Sequence, residues 1–318
     1  MPQKLIIDAD PGLGDAFAVL TALVDPSVEV LGLTASAGTV SGLQAVRNLQ
    51  YLTTLVDPVR HPRIGQSELP AILPAGGTEV TTRHNLSGPL GLGDVDVNVP
   101  DLHNRRESAK LIVDLVREHP HQVNILTLGP LTNLATACDL DAELPTLIQS
   151  IVCLGGSVHA PGDITPVAEF NIWADPEAAA EILRLPTNKV LVPLNVSGVS
   201  VLTFEDDDVL SELIAAATNG SVLSSMLQYS IRANRKLLAF EGIPLHSVVA
   251  LAVAVRAERF HVEAVCADIE TSGQLTRGMT VIDRRRCIPG RTNLDIVSSI
   301  DDAAVIDYFS RSLRHAAR

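Results

Sequence analysis

Three aspartates near the start of the chain are spaced in a way that suits chemistry. The segment LIIDADPGLGDAFAVL carries an apolar stretch into Asp8 and Asp10, turns at Pro11-Gly12, and supplies Asp15 where a helical pattern begins. Side chains alternate along a strand, so Asp8 and Asp10 share one face at its C-terminal end. The turn then returns Asp15 toward them. Carboxylates crowded in this way repel unless a cation lies between them, and hard oxygen ligands suit Ca²⁺ or Mg²⁺ better than a soft metal. The same residues also read as an aspartate-rich strand end whose Asp15 caps the next helix. The motif alone leaves both readings open.

The elements that would position these groups alternate. Strand-length apolar runs at Leu5–Asp8, Val28–Ala35, Val123–Leu128, Ile151–Leu154 and Lys189–Leu194 are interleaved with helical periods at Asp15–Val24, Leu43–Leu55, Ser108–Glu118 and Asp175–Leu183. Such βαβ alternation predicts an α/β fold with a mainly parallel, Rossmann-like sheet flanked by helices. Ligand sites in these sheets lie beyond the C-terminal strand ends, where every candidate motif falls. The later third reads as more helical, over Leu210–Ala217, Val222–Leu238 and Pro244–Ala257, with a strand pair at Cys266–Glu270 and Met279–Ile282. No repeat or linker divides the chain, so one domain over 1–318 is expected. The Gly/Pro-rich span Gly76–Pro100 reads as a functional loop. The acidic run at 205–208 precedes a helix and reads as a solvated helix start. Arg284, Arg285 and Arg286 read as an exposed turn.

Composition narrows the classes of function. Of 318 residues, 46% are hydrophobic and only 3% aromatic, so the core must be aliphatic, as in sheets buried on both faces. A formal charge of −13 argues against nucleic acid or an anionic membrane as partner. The four cysteines form no CxxC pair, no apolar run reaches membrane-spanning length, and three residues before Lys4 leave no room for a signal peptide. A cytoplasmic protein is expected.

Four further segments sit at strand ends: LGPLTN from Leu128, LGGS from Leu154, EFNIWADPE from Glu169, and PLHS from Pro244. With the opening DADPG and the late TRGMTV from Thr276, their order resembles the nucleoside hydrolase family of inosine-uridine-preferring type, over nearly the whole chain. The EFN…DPEAA segment is the most specific part of that likeness. The resemblance implies hydrolysis of the N-glycosidic bond of a ribonucleoside. It also implies a Ca²⁺ ion held by Asp10, Asp15 and the Leu128 carbonyl. Asp10 would be the general base, and Glu169 and Asn171 would hold ribose hydroxyls. His246 is the favoured functional histidine because it lies in a recognised motif. Over the base, the resemblance offers His84 from the long loop and Tyr229 from a helix, with Arg232 and Arg235 nearby; Tyr229 reads rather as packing, since such helix residues usually cover core, and His84 reads also as a loop residue with a local hydrogen bond. Trp173, placed at a strand end, reads as either wall or core. Homodimers or homotetramers are the expected assembly.

The chain departs from the family pattern at four pocket positions. Gly14 stands where an aspartate is usual, Ser247 replaces a metal-ligating carboxylate, Thr39 replaces an asparagine and Asp163 adds a carboxylate. Ser247 would then serve as a neutral metal ligand, and Thr39 and Asp163 would face the substrate. Metal affinity is expected to fall more than about tenfold, the scale seen even for lost outer-shell partners. Three outcomes follow: a working nucleoside hydrolase with a weakened site, a glycosidase for an altered sugar, or a ligand-binding protein without catalysis.

Overall fold

The computed structural model describes residues 2–72, 86–100, 106–203, 222–285 and 292–316. The strands are β1 (Gln3–Ala9), β2 (Val28–Ala35), β3 (Arg63–Gln66), β4 (Arg106–Glu107), β5 (Val123–Thr127), β6 (Ser150–Leu154), β7 (Lys189–Val192), β8 (Val201–Leu202), β9 (Ile243–Pro244), β10 (His261–Val265), β11 (Ala267–Ile269), β12 (Thr280–Ile282) and β13 (Leu294–Ser299). Nine of them form one sheet in the order β10-β13-β7-β6-β5-β1-β2-β3-β4. All neighbours in it are parallel except β10 and β13.

That order decides where a ligand can sit. From β1 the chain builds outward through β2, β3 and β4, then returns to β5 on the other side and builds outward again. The strand order therefore reverses between β1 and β5, and a crevice opens beyond their C-terminal ends. Asp10 follows β1 and Leu128 follows β5, so the topology brings both to one crevice edge.

Both faces of the sheet are buried, which the near-continuous Val/Ile/Leu strands require. Leu5 and Ile7 of β1 pack toward the helices Leu13–Val24, Gly42–Val56, His246–Val255 and Asp302–Ala316. Ile6 points the opposite way, into a second cluster with Leu111, Ile112, Leu134 and Ile182. Among the described residues, no helix is long and apolar enough to cross a membrane.

Several boundaries differ from the sequence reading for identifiable reasons. The strand expected through Leu194 stops at Val192, because Pro193 has no N–H for the ladder and starts the short helix Leu194–Ser197. The helix expected from Pro244 begins at His246, because Ile243–Pro244 pairs antiparallel with Val201–Leu202. Trp173 lies in the short helix Phe170–Ala174 rather than at a strand end, because the Glu169 side chain caps that helix by accepting from the Asn171 and Ile172 N–H groups. Asp15 is not the cap of its helix; it sits in the first turn, and Gly12 occupies the cap without a side-chain bond. The helix expected over Leu210–Ala217, the acidic run at 205–208, and Arg286 fall outside the described residues. Arg284 bonds His159 and Arg285 pairs with Asp283 on the surface.

Candidate functional site

A cavity of about 580 Å³ opens at the crevice, within the range usual for small-molecule sites. Asp10, Asp15, Thr39, Leu128, Asp163, Glu169, His246 and Ser247 all line it. Asn171 is not among its lining residues, and His84 lies outside the described residues.

Asp10 is the most tightly held of these groups. It is buried, and the Thr39 N–H donates to its Oδ2. Two glycines on the flanking strands' exits press against the same carboxylate. A Cβ on Gly38 would lie 2.2 Å from Asp10 Oδ2, and one on Gly129 would lie 2.5 Å from Oδ1. The carboxylate therefore packs directly against the backbone at both positions, and a side chain at either would force it to move. Thr39, read from the sequence as a substrate contact, reaches Asp10 through its amide.

Asp15 meets the far end of the chain: Ser247 Oγ donates to its Oδ1 at 2.6 Å. Gly14 is adjacent, since a Cβ there would be 3.3 Å from Ser247 Oγ and would meet nothing else within 4 Å. Two of the four departures from the family pattern are thus neighbours in space. The Leu128 carbonyl accepts from Asn171 Nδ2 at 2.7 Å, and the same amide donates to the Leu154 carbonyl at 3.0 Å.

Asp8 takes no place in the cavity lining. It is fully buried, and its Oδ1 accepts from Thr34 Oγ1 at 2.6 Å and Asn133 Nδ2 at 2.8 Å. Burial pushes its carboxyl up to about 7; the two hydrogen bonds oppose that rise and the nearby Asp10 charge adds to it.

Glu169 and Asp163 form a fixed acidic wall. Glu169 accepts from the N–H groups of Gly156, Asn171 and Ile172, at 2.9 to 3.1 Å. Asp163 Oδ1 accepts from the Phe170 N–H at 2.8 Å. Among the described residues, none that lines the cavity is Lys or Arg. Four carboxylates without a balancing cationic side chain favour a bound cation or a positive charge developing on a ligand.

The donor chemistry fits a hard divalent cation. Asp10, Asp15, the Leu128 carbonyl and the Ser247 hydroxyl offer oxygen only, and the buried oxygens Asp8 Oδ2, Ser36 Oγ and Asn171 Oδ1 nearby have no hydrogen-bond partner among the described residues. Among the described residues no group of three or more His, Cys, Asp or Glu side chains gathers to hold a metal. Two carboxylates are therefore the anionic part of the set.

Another part of the wall is apolar, made by Leu86, Leu194, Leu237, Leu238, Ile243 and Pro244. Sequence reasoning missed this wall, and with it Ser87, Ser230 and Asn234. Ser230 and Asn234 are polar residues four apart on the buried face of the helix Val222–Leu238, a signal that was available. The described part of the Gly76–Pro100 loop does reach the cavity, through Leu86 and Ser87. Tyr229, Arg232 and Arg235 do not line it. Tyr229 packs on Gly93, Arg232 pairs with Asp94, and Arg235 pairs with Glu241. The imidazole of His246 is held by Ser197, whose Oγ is 2.8 Å from Nδ1.

Comparison with known proteins gives consistent results. The model of the family described as inosine-uridine preferring nucleoside hydrolase matches residues 5–307. The chain is 32% identical to uridine nucleosidase 1 of Arabidopsis thaliana, over 98% of this chain and 93% of that protein. It is 30% identical to the pyrimidine-specific ribonucleoside hydrolase RihA of Salmonella gallinarum over the full length of both. Among solved structures, the purine-preferring ribonucleoside hydrolase from Gardnerella vaginalis superposes with a TM-score of 0.87 at 26% identity, covering 99% of each chain.

Proposed function

Because the chain belongs to the inosine-uridine preferring nucleoside hydrolase family and is an N-glycosyl hydrolase, we propose that this cavity cleaves ribonucleosides with Asp10 as general base and His246 as the group serving the departing base. The observation that carries the assignment is the gathering of four carboxylates, Asp10, Asp15, Asp163 and Glu169, around one cavity that no Lys or Arg among the described residues lines. Breaking an N-glycosidic bond builds oxocarbenium-like positive charge on the sugar, and such a gathering stabilises that charge.

Asp10, Asp15, the Leu128 carbonyl and Ser247 would hold a divalent ion, which we take to be Ca²⁺, with waters and sugar hydroxyls completing the oxygen count. When bound, that ion supplies a more acidic water beside the anomeric carbon. Asp10, clamped by Thr39 and its two glycines, accepts the proton of the attacking water. The water oxygen bonds to C1′ as the C1′–N bond breaks, and that electron pair goes to the base nitrogen. The nitrogen takes its proton from the His246 side, giving free ribose and free base. Glu169, Asp163 and Thr39 orient the sugar, and Asn171, which lies behind the lining, acts through the Leu128 carbonyl that it bonds. His84 remains a proposed contact to the base. We also take the working form to be a cytoplasmic homodimer or homotetramer, since two-fold closure is the common arrangement of soluble oligomers.

Reducing-sugar release from uridine and inosine tests the reading. The expected result is turnover that EDTA abolishes and calcium restores, and that Asp10→Asn lowers by about a hundredfold or more. No sugar released from any ribonucleoside at millimolar calcium overturns it.

A further inference from the structure

Ser197 is separated from His246 by 49 positions, yet the two side chains are joined at 2.8 Å. Ser197 is completely buried, and Nδ1 of His246 is the only partner of its hydroxyl among the described residues. A buried hydroxyl carries a desolvation cost unless it is hydrogen-bonded, so this contact fixes both groups. The ring is also held from a second direction. A Cβ on Gly198 would lie 3.2 Å from His246 Cε1, so the imidazole packs directly against the Gly198 backbone.

The backbone prevents the two residues from drifting apart. The N–H groups of Ser197 and Gly198 close the turn onto the carbonyls of Pro193 and Leu194, each at 2.9 Å. The Leu245 N–H donates to the Ser200 carbonyl at 2.9 Å, and β8 pairs with β9 immediately beyond. The serine end is thus fixed within its own turn, and the serine and histidine segments are tied together by the main-chain bonds that start at Ser200 and Leu245.

We propose that Ser197 is a positioning residue for nucleobase departure, holding Nδ1 of His246 so that Nε2 addresses the base nitrogen in the cavity. The inference rests on the role given to His246 above. When Nε2 gives its proton to the base, Nδ1 keeps its own, so the serine oxygen can accept from Nδ1–H both before and after the transfer. A partner that fixes the orientation of an acting ring helps supply the near-attack geometry the reaction needs.

The test compares two leaving groups. Uridine or inosine must release a poor leaving group that needs a proton, whereas p-nitrophenyl ribofuranoside releases a stable anion that does not. Ser197→Ala is expected to lower kcat on the nucleoside by roughly tenfold to a hundredfold, part of the contribution of general acid catalysis. KM should stay near the wild-type value, and kcat on the nitrophenyl riboside should change by no more than about twofold. Ser197→Thr, which keeps the hydroxyl, should restore nucleoside turnover. ¹⁵N spectra of histidine-labelled wild-type protein give a readout independent of any variant's folding, and should show His246 in one fixed tautomer. Equal losses on both substrates, no loss on the nucleoside, or an exchange-averaged His246 in wild type each overturn the inference. Running His246→Ala in parallel separates the two levels. If it loses nucleoside turnover and Ser197→Ala does not, the Ser197 role alone fails; if it loses none, the histidine assignment fails as well.

Discussion

Asp8→Asn changes one atom in a fully buried carboxylate, and the consequence can be worked through pH. The Asp8 carboxyl rises from 3.8 to about 7 in the folded protein, chiefly because burial penalises its charge. Between those values the unfolded chain has lost the proton and the folded chain still holds it. A group raised in this way contributes its stabilisation fully below its unfolded value, and that contribution is lost as pH rises through its folded value. Relative to an uncharged reference, the cost of Asp8 grows by roughly 2.5 kcal/mol between about pH 5 and pH 8, taking 1.36 kcal/mol per unit. Asparagine keeps an oxygen to accept from Thr34 and Asn133 and never ionises. Urea denaturation of wild type and Asp8→Asn at both pH values, with EDTA present so that no cation lies beside Asp10, gives the double difference in which fixed effects of the amide cancel. The variant should gain on wild type by that amount at the higher pH. A difference that stays flat, or that moves in favour of wild type as pH rises, refutes the account of Asp8 as a buried, proton-holding acid.

Two further predictions follow from contacts at the site and beneath it. Ser247→Asp places a second carboxylate against Asp15, with open space at Gly14 beside it; the cation-free protein should melt lower, and the rise in Tm on adding calcium should enlarge, consistent with about tenfold or more tighter binding. Tyr308→Phe removes the buried hydroxyl that donates to Asp25 Oδ2 at 2.8 Å at the end of the helix Leu13–Val24. The expected loss in chemical denaturation is about 1.5–3 kcal/mol, the range for a hydrogen bond to a charged group.

The parts of this structure legible in the sequence were those with a local signature. β1, β2, β5 and β6 announce themselves as short apolar runs because both faces of the sheet are covered, and the Asp8–Asp15 turn was visible as residue type plus spacing. β10 carried no such signal, because its residues His261 to Ala264 are exposed and no burial pattern marks them. The Phe170–Ala174 helix is too short for periodicity and depends on the Glu169 cap. Asp8 and Asp10 were read as a pair, yet only Asp10 lines the cavity, because Thr34 and Asn133 claim the other. The contacts Ser197–His246 and Gly14–Ser247 join distant segments, and nothing in either segment alone points to its partner.

The bond between Ser247 and Asp15 spans 232 positions. On the ribosome, the acidic corner therefore exists only in halves until the stretch beyond Val255 has emerged and docked. Contacts at such separation are slow to close. A message cut short anywhere before the Ser247 codon yields a polypeptide in which Asp15 has no Ser247 hydroxyl to meet. Any small molecule that depends on this corner thus recognises chains that extend through the helix His246–Val255, and stabilises those by mass action.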